Sequence, residues 1–311
     1  MKWQRKDILG LEDMSVEDIR HILHTAKVMK EILMRPIKKL PTLKGKSVVN
    51  VFYEASTRTR TSFEMAAKVL GADTTSIAIA QSSVSKGESL YDTAKTIQAM
   101  RADLVILRHP SSGSAKFLAD ILVPGVINAG DGQHEHPTQA LLDIFTMEEK
   151  LGSLEGKKIV IVGDVLHSRV ARSNAWGLQK LGVDVTLVGP PTLLPVEMDC
   201  LGVKTTYDLN SALPGADIVM ALRLQLERQK SGLFPSLREY SQLYGLTTER
   251  LKKTGKQSIV LHPGPMNRGV EISDDVADGV QALIEKQVTN GVAIRMALIY
   301  LLIGGSSNVV A

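Results

Sequence analysis

Short apolar runs rich in β-branched residues alternate with stretches of helical period along most of this chain, which restricts it to few architectures. The strand candidates are Ser47–Tyr53, Asp103–Leu107, Gly125–Asn128, Lys158–Val162, Val183–Val188, Asp217–Leu222 and Ser258–Leu261. Amphipathic helices lie between them. In Thr57–Leu70, the residues Phe63, Ala66, Ala67 and Leu70 recur at i, i+3, i+4 and i+7, and Gly71 stops the helix. In Ser168–Leu181, Ala171, Ala175, Leu178 and Leu181 form a similar stripe, ended by Gly182. Strands alternating with helices predict an α/β fold of parallel sheets covered by helices on both faces.

The 311 residues suggest two domains, on a prior of about 150 residues each. Both halves open with a strand, a polar loop containing Ser and Arg, a helix closed by Leu-Gly and a further strand. A boundary is expected at 151–156 (LGSLEG), where small and polar residues separate a helix from the next strand. The polar, turn-rich segment Gln225–Leu251 around Pro235 reads as a long mobile loop. Cys200 is the single cysteine, which excludes an intramolecular disulfide framework and suits a reducing cytoplasm. Met1–Gly10 has no apolar h-region, so no signal peptide is expected. The apolar stretch Gly291–Gly305 is interrupted by Arg295 and too short for a bilayer, so it reads as a buried helix rather than a membrane span. A net charge of +4 without basic runs or interleaved aromatics argues against nucleic acid as a partner.

The basic residues fall where an α/β sheet binds ligands. Ser56-Thr57-Arg58-Thr59-Arg60 follows the first strand and Arg108-His109 follows Leu107. Asn128 leads to His136, Val162 to Arg169, Leu222 to Arg223 and Leu261 to His262. Ligands of open parallel sheets bind outside the carboxyl ends of the strands, so these ends describe a positive cleft for small anionic substrates. Ser56–Arg60 adds a helix N-terminus, whose unpaired N–H groups and dipole attract phosphate, while Arg58 can grip its oxygens bidentately. A Ser/Thr-rich cap alone is more often only a cap. Alternating Thr and Arg is poor for helix propensity, however, which suggests that binding selects these positions.

His136-Pro137-Thr138-Gln139 is the second motif: Pro137 suits the first helical position, which places His136 and Gln139 near a helix N-terminus. His134-Glu135-His136 could be read as metal ligands, but with one cysteine and no third ligand at a persuasive spacing no metal is expected. Outside this context Lys86 and Arg223 would read as solvated surface residues, and His262-Pro263-Gly264-Pro265 as a rigid turn. Lys158-Ile-Val-Ile-Val-Gly-Asp resembles the opening of a nucleotide-binding dehydrogenase, yet the glycine fingerprint is missing after Gly163.

Taken together, STRTR at 56–60, RHP at 108–110, HPTQ at 136–139 and HPGP at 262–265 resemble, in order and spacing, the carbamoyltransferases over nearly the whole chain. Ser82 and Lys86 match a loop of the aspartate branch, and Arg223-x-Gln225 its carboxylate-binding pair. The His-Cys-Leu-Pro element of the ornithine branch is absent.

The resemblance implies two doubly wound parallel-sheet domains joined by helices. A carbamoyl-phosphate domain, 1–150 completed by 291–311 through a returning C-terminal helix, would precede an aspartate domain, 151–290. It implies a cytoplasmic homotrimer whose sites borrow Ser82 and Lys86 from the neighbouring subunit, with regulatory chains or dihydroorotase as further partners. The cofactor-free reaction would carbamoylate aspartate early in pyrimidine biosynthesis, ornithine being the alternative acceptor. Ser56, Thr57, Arg58 and Thr59 would hold phosphate. Thr59, Arg108 and His136 would polarise the carbamoyl carbonyl, and Gln139 with the Gly264–Pro265 turn would fix its amino group. Lys86, Arg169, Arg223 and Gln225 would take the aspartate carboxylates. Gly264 departs from members that carry a bulkier apolar residue there, which makes the turn more flexible.

Overall fold

The computed structural model describes residues 3–78, 88–225 and 233–304. The chain divides into two compact units, Met1–Leu141 with Thr289–Ala311, and Leu142–Val288.

The first unit opens with α1 (Val16–Leu33), whose first turn is capped by the Ser15 hydroxyl accepting from Asp18 N–H, and which buries Ile19, Ile22, Leu23, Ala26 and Met29. There follow β1 (Ser47–Phe52), α2 (Thr57–Val69), β2 (Asp73–Ala78), α3 (Leu90–Ala99), β3 (Leu104–His109), α4 (Ser114–Ile121) and β4 (Gly125–Asp131). The strands form one parallel sheet in the order β2-β1-β3-β4, with Val49 opposite Val105 and Ile106 opposite Ile127. Crossover helices cover a sheet whose inner strands are almost continuously buried, and Val51, Ile97, Val105, Leu107, Leu118 and Val126 form one of its clusters. The N-terminal segment extends the β4 side, where Ile8 bridges to Ile127.

Helix α5 (Pro137–Leu151) carries residues of both units. In the second unit come β5 (Lys158–Val162), α6 (Arg169–Lys180), β6 (Asp184–Val188), a short 3-10 turn, β7 (Lys204–Thr206), α7 (Leu209–Ala212) and β8 (Ile218–Ala221). After these lie α8 (Leu237–Tyr244), α9 (Thr248–Lys252), β9 (Ile259–Leu261), α10 (Asp274–Ala277) and α11 (Ile284–Ile303). The sheet is again parallel, in the order β7-β6-β5-β8-β9. Val160, Val162, Val219, Val260, Tyr240 and Ile272 are part of its core. From residue 289 onward α11 belongs to the first unit, and Ala293, Ile294, Met296, Ala297, Leu298 and Ile299 are fully buried. No helix among the described residues is long and apolar enough to cross a membrane.

Two expectations change. The segment Gln225–Leu251 is not one long loop: its described part holds α8 and the start of α9, capped by Ser236 and Thr247. Helix α8 buries only Tyr240 and Tyr244, too thin a stripe to register as helical period. Strand β7 was missed, and β2, implied as the further strand after Leu70-Gly71, was given no range. Both are partly exposed sheet edges whose Thr-rich sequences carry no apolar run, unlike the edge strands β4 and β9, which are fully buried.

Candidate active site

In the first unit, β1 and β3 are the neighbours from which the chain winds outward in opposite directions, a topological switch point where open parallel sheets bind ligands. The carboxyl end of β1 leads through Glu54 to Ser56 and α2. Ser56 is the N-cap of α2, yet its hydroxyl makes no capping hydrogen bond, unlike the N-cap serines of α1, α3, α6 and α8. Thr57 and Arg58 are exposed on the first turn, Ser56 is half-buried and Thr59 is buried. This uncapped turn, with two hydroxyls and a guanidinium beside it, suits an anion. Arg60, one residue further on, lies 3.8 Å from Glu64 on its own helix.

Arg108, one residue before the end of β3, lies directly opposite Phe52 of β1, beside the approach to α2. Its Nε donates to Glu54 Oε2 at 3.1 Å, with both side chains largely buried. His109 points elsewhere: its ring meets Tyr53 edge-on at 4.5 Å, and its Nδ1 accepts from Ser111 N–H at 3.0 Å. Burial depresses the His109 pKa.

The β4–α5 loop is held by two buried carboxylates. Asp131 accepts from Gly113 N–H at 2.7 Å and Asn128 Nδ2 at 2.7 Å, and lies 3.1 Å from His134 Nδ1. Burial pushes the Asp131 carboxyl up, but the bonds from His134 and Asn128 outweigh it and hold the group below its ordinary value. The bond to Asp131 in turn raises His134. Glu135 accepts from Leu11 N–H at 2.8 Å and Glu12 N–H at 3.1 Å, tying the N-terminal segment to the loop. His136 and Gln139 are both buried where α5 begins, and the His136 carbonyl accepts from Gln139 N–H at 3.0 Å. Glu12, His134 and Glu135 bring ligand-type atoms within 4.8 Å of one another, but the Glu135 carboxylate is occupied by backbone N–H groups.

In the second unit the switch point lies between β5 and β8. After β5 the chain turns at Gly163, whose φ is +140 and where a Cβ would lie 2.9 Å from Leu222 Cβ, so only glycine fits. Asp164, fully buried, receives His167 N–H at 3.2 Å on Oδ1 and contacts His167 Nδ1 at 2.8 Å. Ser168 caps α6 by accepting from Ala171 N–H, and Arg169 is the helix's first residue, buried. Arg223 and Gln225 follow β8. Gln225 Nε2 donates to the His167 carbonyl at 3.0 Å and its N–H approaches Asp164 Oδ2 at 3.4 Å. Arg169, Arg223 and Gln225 thus gather at adjoining strand ends. Gly264 and Pro265 follow β9, the neighbour of β8, and are joined by a cis peptide bond.

The predicted residues therefore lie in two sets near strand carboxyl ends, Ser56, Thr57, Arg58, Thr59, Arg108, His136 and Gln139 in the first unit, and Arg169, Arg223, Gln225, Gly264 and Pro265 in the second. Ser82 and Lys86 lie outside the described residues. His262, counted above among the basic groups of a cleft, is instead a core residue: its side chain is fully buried against Glu271. Glu54, Asp131, Asp164 and Glu271 escaped the sequence reading. An acidic residue has no periodicity or motif to announce that it will face an arginine or a histidine.

The family "Aspartate/ornithine carbamoyltransferase, carbamoyl-P binding domain" matches residues 6–149, and its companion "Asp/Orn binding domain" matches residues 155–302. The chain is 67% identical over 307 residues to the aspartate carbamoyltransferase catalytic subunit of Desulfitobacterium hafniense, covering 99% of this chain and 98% of that protein. It superposes with TM-score 0.88 and 29% identity on aspartate transcarbamoylase from Trypanosoma cruzi in complex with carbamoyl phosphate and aspartate, covering 96% and 97% of the two chains. Ornithine carbamoyltransferase from Pyrococcus furiosus superposes almost as well, with TM-score 0.86 and 28% identity over 98% and 99% of the chains. Backbone similarity alone does not separate the two acceptors.

Proposed function

The chain belongs to the aspartate/ornithine carbamoyltransferase family, and from that premise we propose that it is an aspartate carbamoyltransferase. It transfers the carbamoyl group of carbamoyl phosphate to the α-amino group of L-aspartate, giving N-carbamoyl-L-aspartate and phosphate, an early step of pyrimidine biosynthesis. The observation that carries the acceptor assignment is the grouping of Arg169, Arg223 and Gln225 at the ends of β5 and β8. Two guanidinia and an amide suit a dicarboxylate, whereas ornithine would bring an ammonium group against them.

On this reading Ser56, Thr57, Arg58 and Thr59 hold the phosphate at the α2 N-terminus. Thr59, Arg108 and His136 donate to the carbamoyl oxygen, while Gln139 and the Gly264–Pro265 turn fix the carbamoyl amino group. Arg169, Arg223, Gln225 and Lys86 bind the carboxylates of aspartate. The deprotonated amine attacks the carbamoyl carbon, and the tetrahedral intermediate then expels phosphate, which takes up the amine proton. No side-chain nucleophile is required. Holding both substrates in near-attack geometry contributes up to about 7–11 kcal/mol. Each donor aimed at the developing oxyanion adds about 3–4 kcal/mol. The active form on this reading is a cytoplasmic homotrimer in which Ser82 and Lys86 serve the neighbouring subunit's site, and regulatory chains or dihydroorotase are the partners it admits.

The test is a steady-state assay with carbamoyl phosphate and either L-aspartate or L-ornithine. Turnover is expected with aspartate alone. Turnover with ornithine would retain the phosphate-binding residues and overturn the assignment of Lys86, Arg169, Arg223 and Gln225.

A further inference from the structure

Between β9 and α10 the chain folds back on itself around two buried side chains. Gly264 N–H donates to His262 Nδ1 at 2.8 Å, so Nδ1 is the unprotonated ring nitrogen. Nε2 then carries the proton and donates it to Glu271 Oε1 at 3.2 Å. The same Glu271 oxygen accepts Asn267 N–H, closing the turn that contains Gly264 and Pro265. Asn267 reaches further, its Nδ2 donating to the Leu224 carbonyl at 3.3 Å, between Arg223 and Gln225. His262 is anchored from behind, its N–H donating to Gln287 Oε1 at 3.0 Å.

We propose that Glu271, acting through His262 and Asn267, is the positioning residue that sets both the Gly264–Pro265 turn and the Arg223–Gln225 segment. The proposal rests on the function given above, in which the turn meets the carbamoyl group and the segment meets aspartate. On this reading Glu271 and His262 act through the turn and the segment, not on the substrates themselves. A purely structural carboxylate would be expected to satisfy both its oxygens. Yet Glu271 Oε2 is buried with no hydrogen-bond partner among the described residues. The oxygen that is used serves only the two N–H groups that shape the turn, and that is the arrangement of a clamp on a binding loop.

Steady-state kinetics on the full chain test this. The wild type, Glu271→Gln and Glu271→Leu are compared, with inhibition by inorganic phosphate reporting separately on the α2 site. Glu271→Leu removes the acceptor and is expected to lower kcat/KM for aspartate about 10²-fold, as small misplacements of binding groups do. Its phosphate inhibition constant should stay within about twofold of wild type. Glu271→Gln keeps an oxygen for both N–H groups and should recover activity to within about threefold. A folded Leu variant with wild-type kinetics, or a Gln variant as impaired as Leu, overturns the proposal. If Glu271→Leu does not fold, His262→Asn decides: it keeps an acceptor for Gly264 N–H but cannot reach Glu271. Wild-type kinetics in that variant overturn the proposal, and the same loss with phosphate inhibition intact supports it. A wild type that fails to carbamoylate aspartate overturns the functional reading and this proposal with it, whereas undisturbed variants of an active wild type overturn this proposal alone.

Discussion

His134 and Asp131 hold the loop that delivers His136, and their pairing is visible through pH. His134 is raised above its ordinary 6.5 by the bond to Asp131, so the stability this ring contributes is fully present below about pH 6.5 and is lost as pH rises through the raised value. The Asp131 carboxyl is held below its ordinary 3.8, so its contribution is present above that value and fades only as pH falls through the depressed one. The Tm advantage of wild type over His134→Asn should accordingly be greatest near pH 6 and shrink on the alkaline side. A difference that stays constant across a melting series from acid to alkaline pH would show that the ring is not held as an ion. Arg58, Arg108 and His136 could be singled out in the sequence because each lies at or shortly beyond the carboxyl end of a strand. The partners of Asp131 and Glu271 lie nearby in sequence but carry no motif that marks them as pairs, whereas the partner of Glu135 is brought to it only by folding: Glu135 meets Leu11, more than a hundred residues away.

Elements were legible in proportion to how much of them is buried. β5 matches its expected range Lys158–Val162, and its positions 159–162 are all buried. The edge strands β2 and β7 and the tyrosine-faced α8 carry too little apolar pattern to be read. Helix α6 was expected from Ser168, and the structure makes Ser168 its cap rather than its first residue. Replacing this serine with alanine removes the acceptor for Ala171 N–H and should cost about 1 kcal/mol of stability. It should also raise the KM for aspartate more than that for carbamoyl phosphate, since Arg169 is the next residue. Denaturant midpoints and initial rates check both, and an unchanged midpoint would mean that another group takes over the cap.

At the scale of the whole molecule, the proposed sharing of sites between subunits is the property to challenge. Arg58→Ala removes the proposed phosphate ligand and Lys86→Ala the lysine proposed to be shared, and each variant should lose about two to three orders of magnitude in kcat. Dissociating and reassembling the two inactive proteins together should restore part of the activity, because some hybrid sites then take both native residues. No recovery in confirmed hybrids would place Lys86 in its own subunit's site. By itself the sequence determined the alternation of strands and helices, the parallel sheets that follow from it, and the basic motifs at strand ends. Each of these depends on chain-local periodicity or on a residue's distance from a strand. Only the tertiary structure decided that the two switch points fall at β1/β3 and β5/β8, and that His262 is a buried hinge of the turn rather than a surface cation. Strand order and side-chain partnership are settled by contacts between distant residues, and burial turns a carboxylate such as Glu271 from a soluble charge into a fixed acceptor.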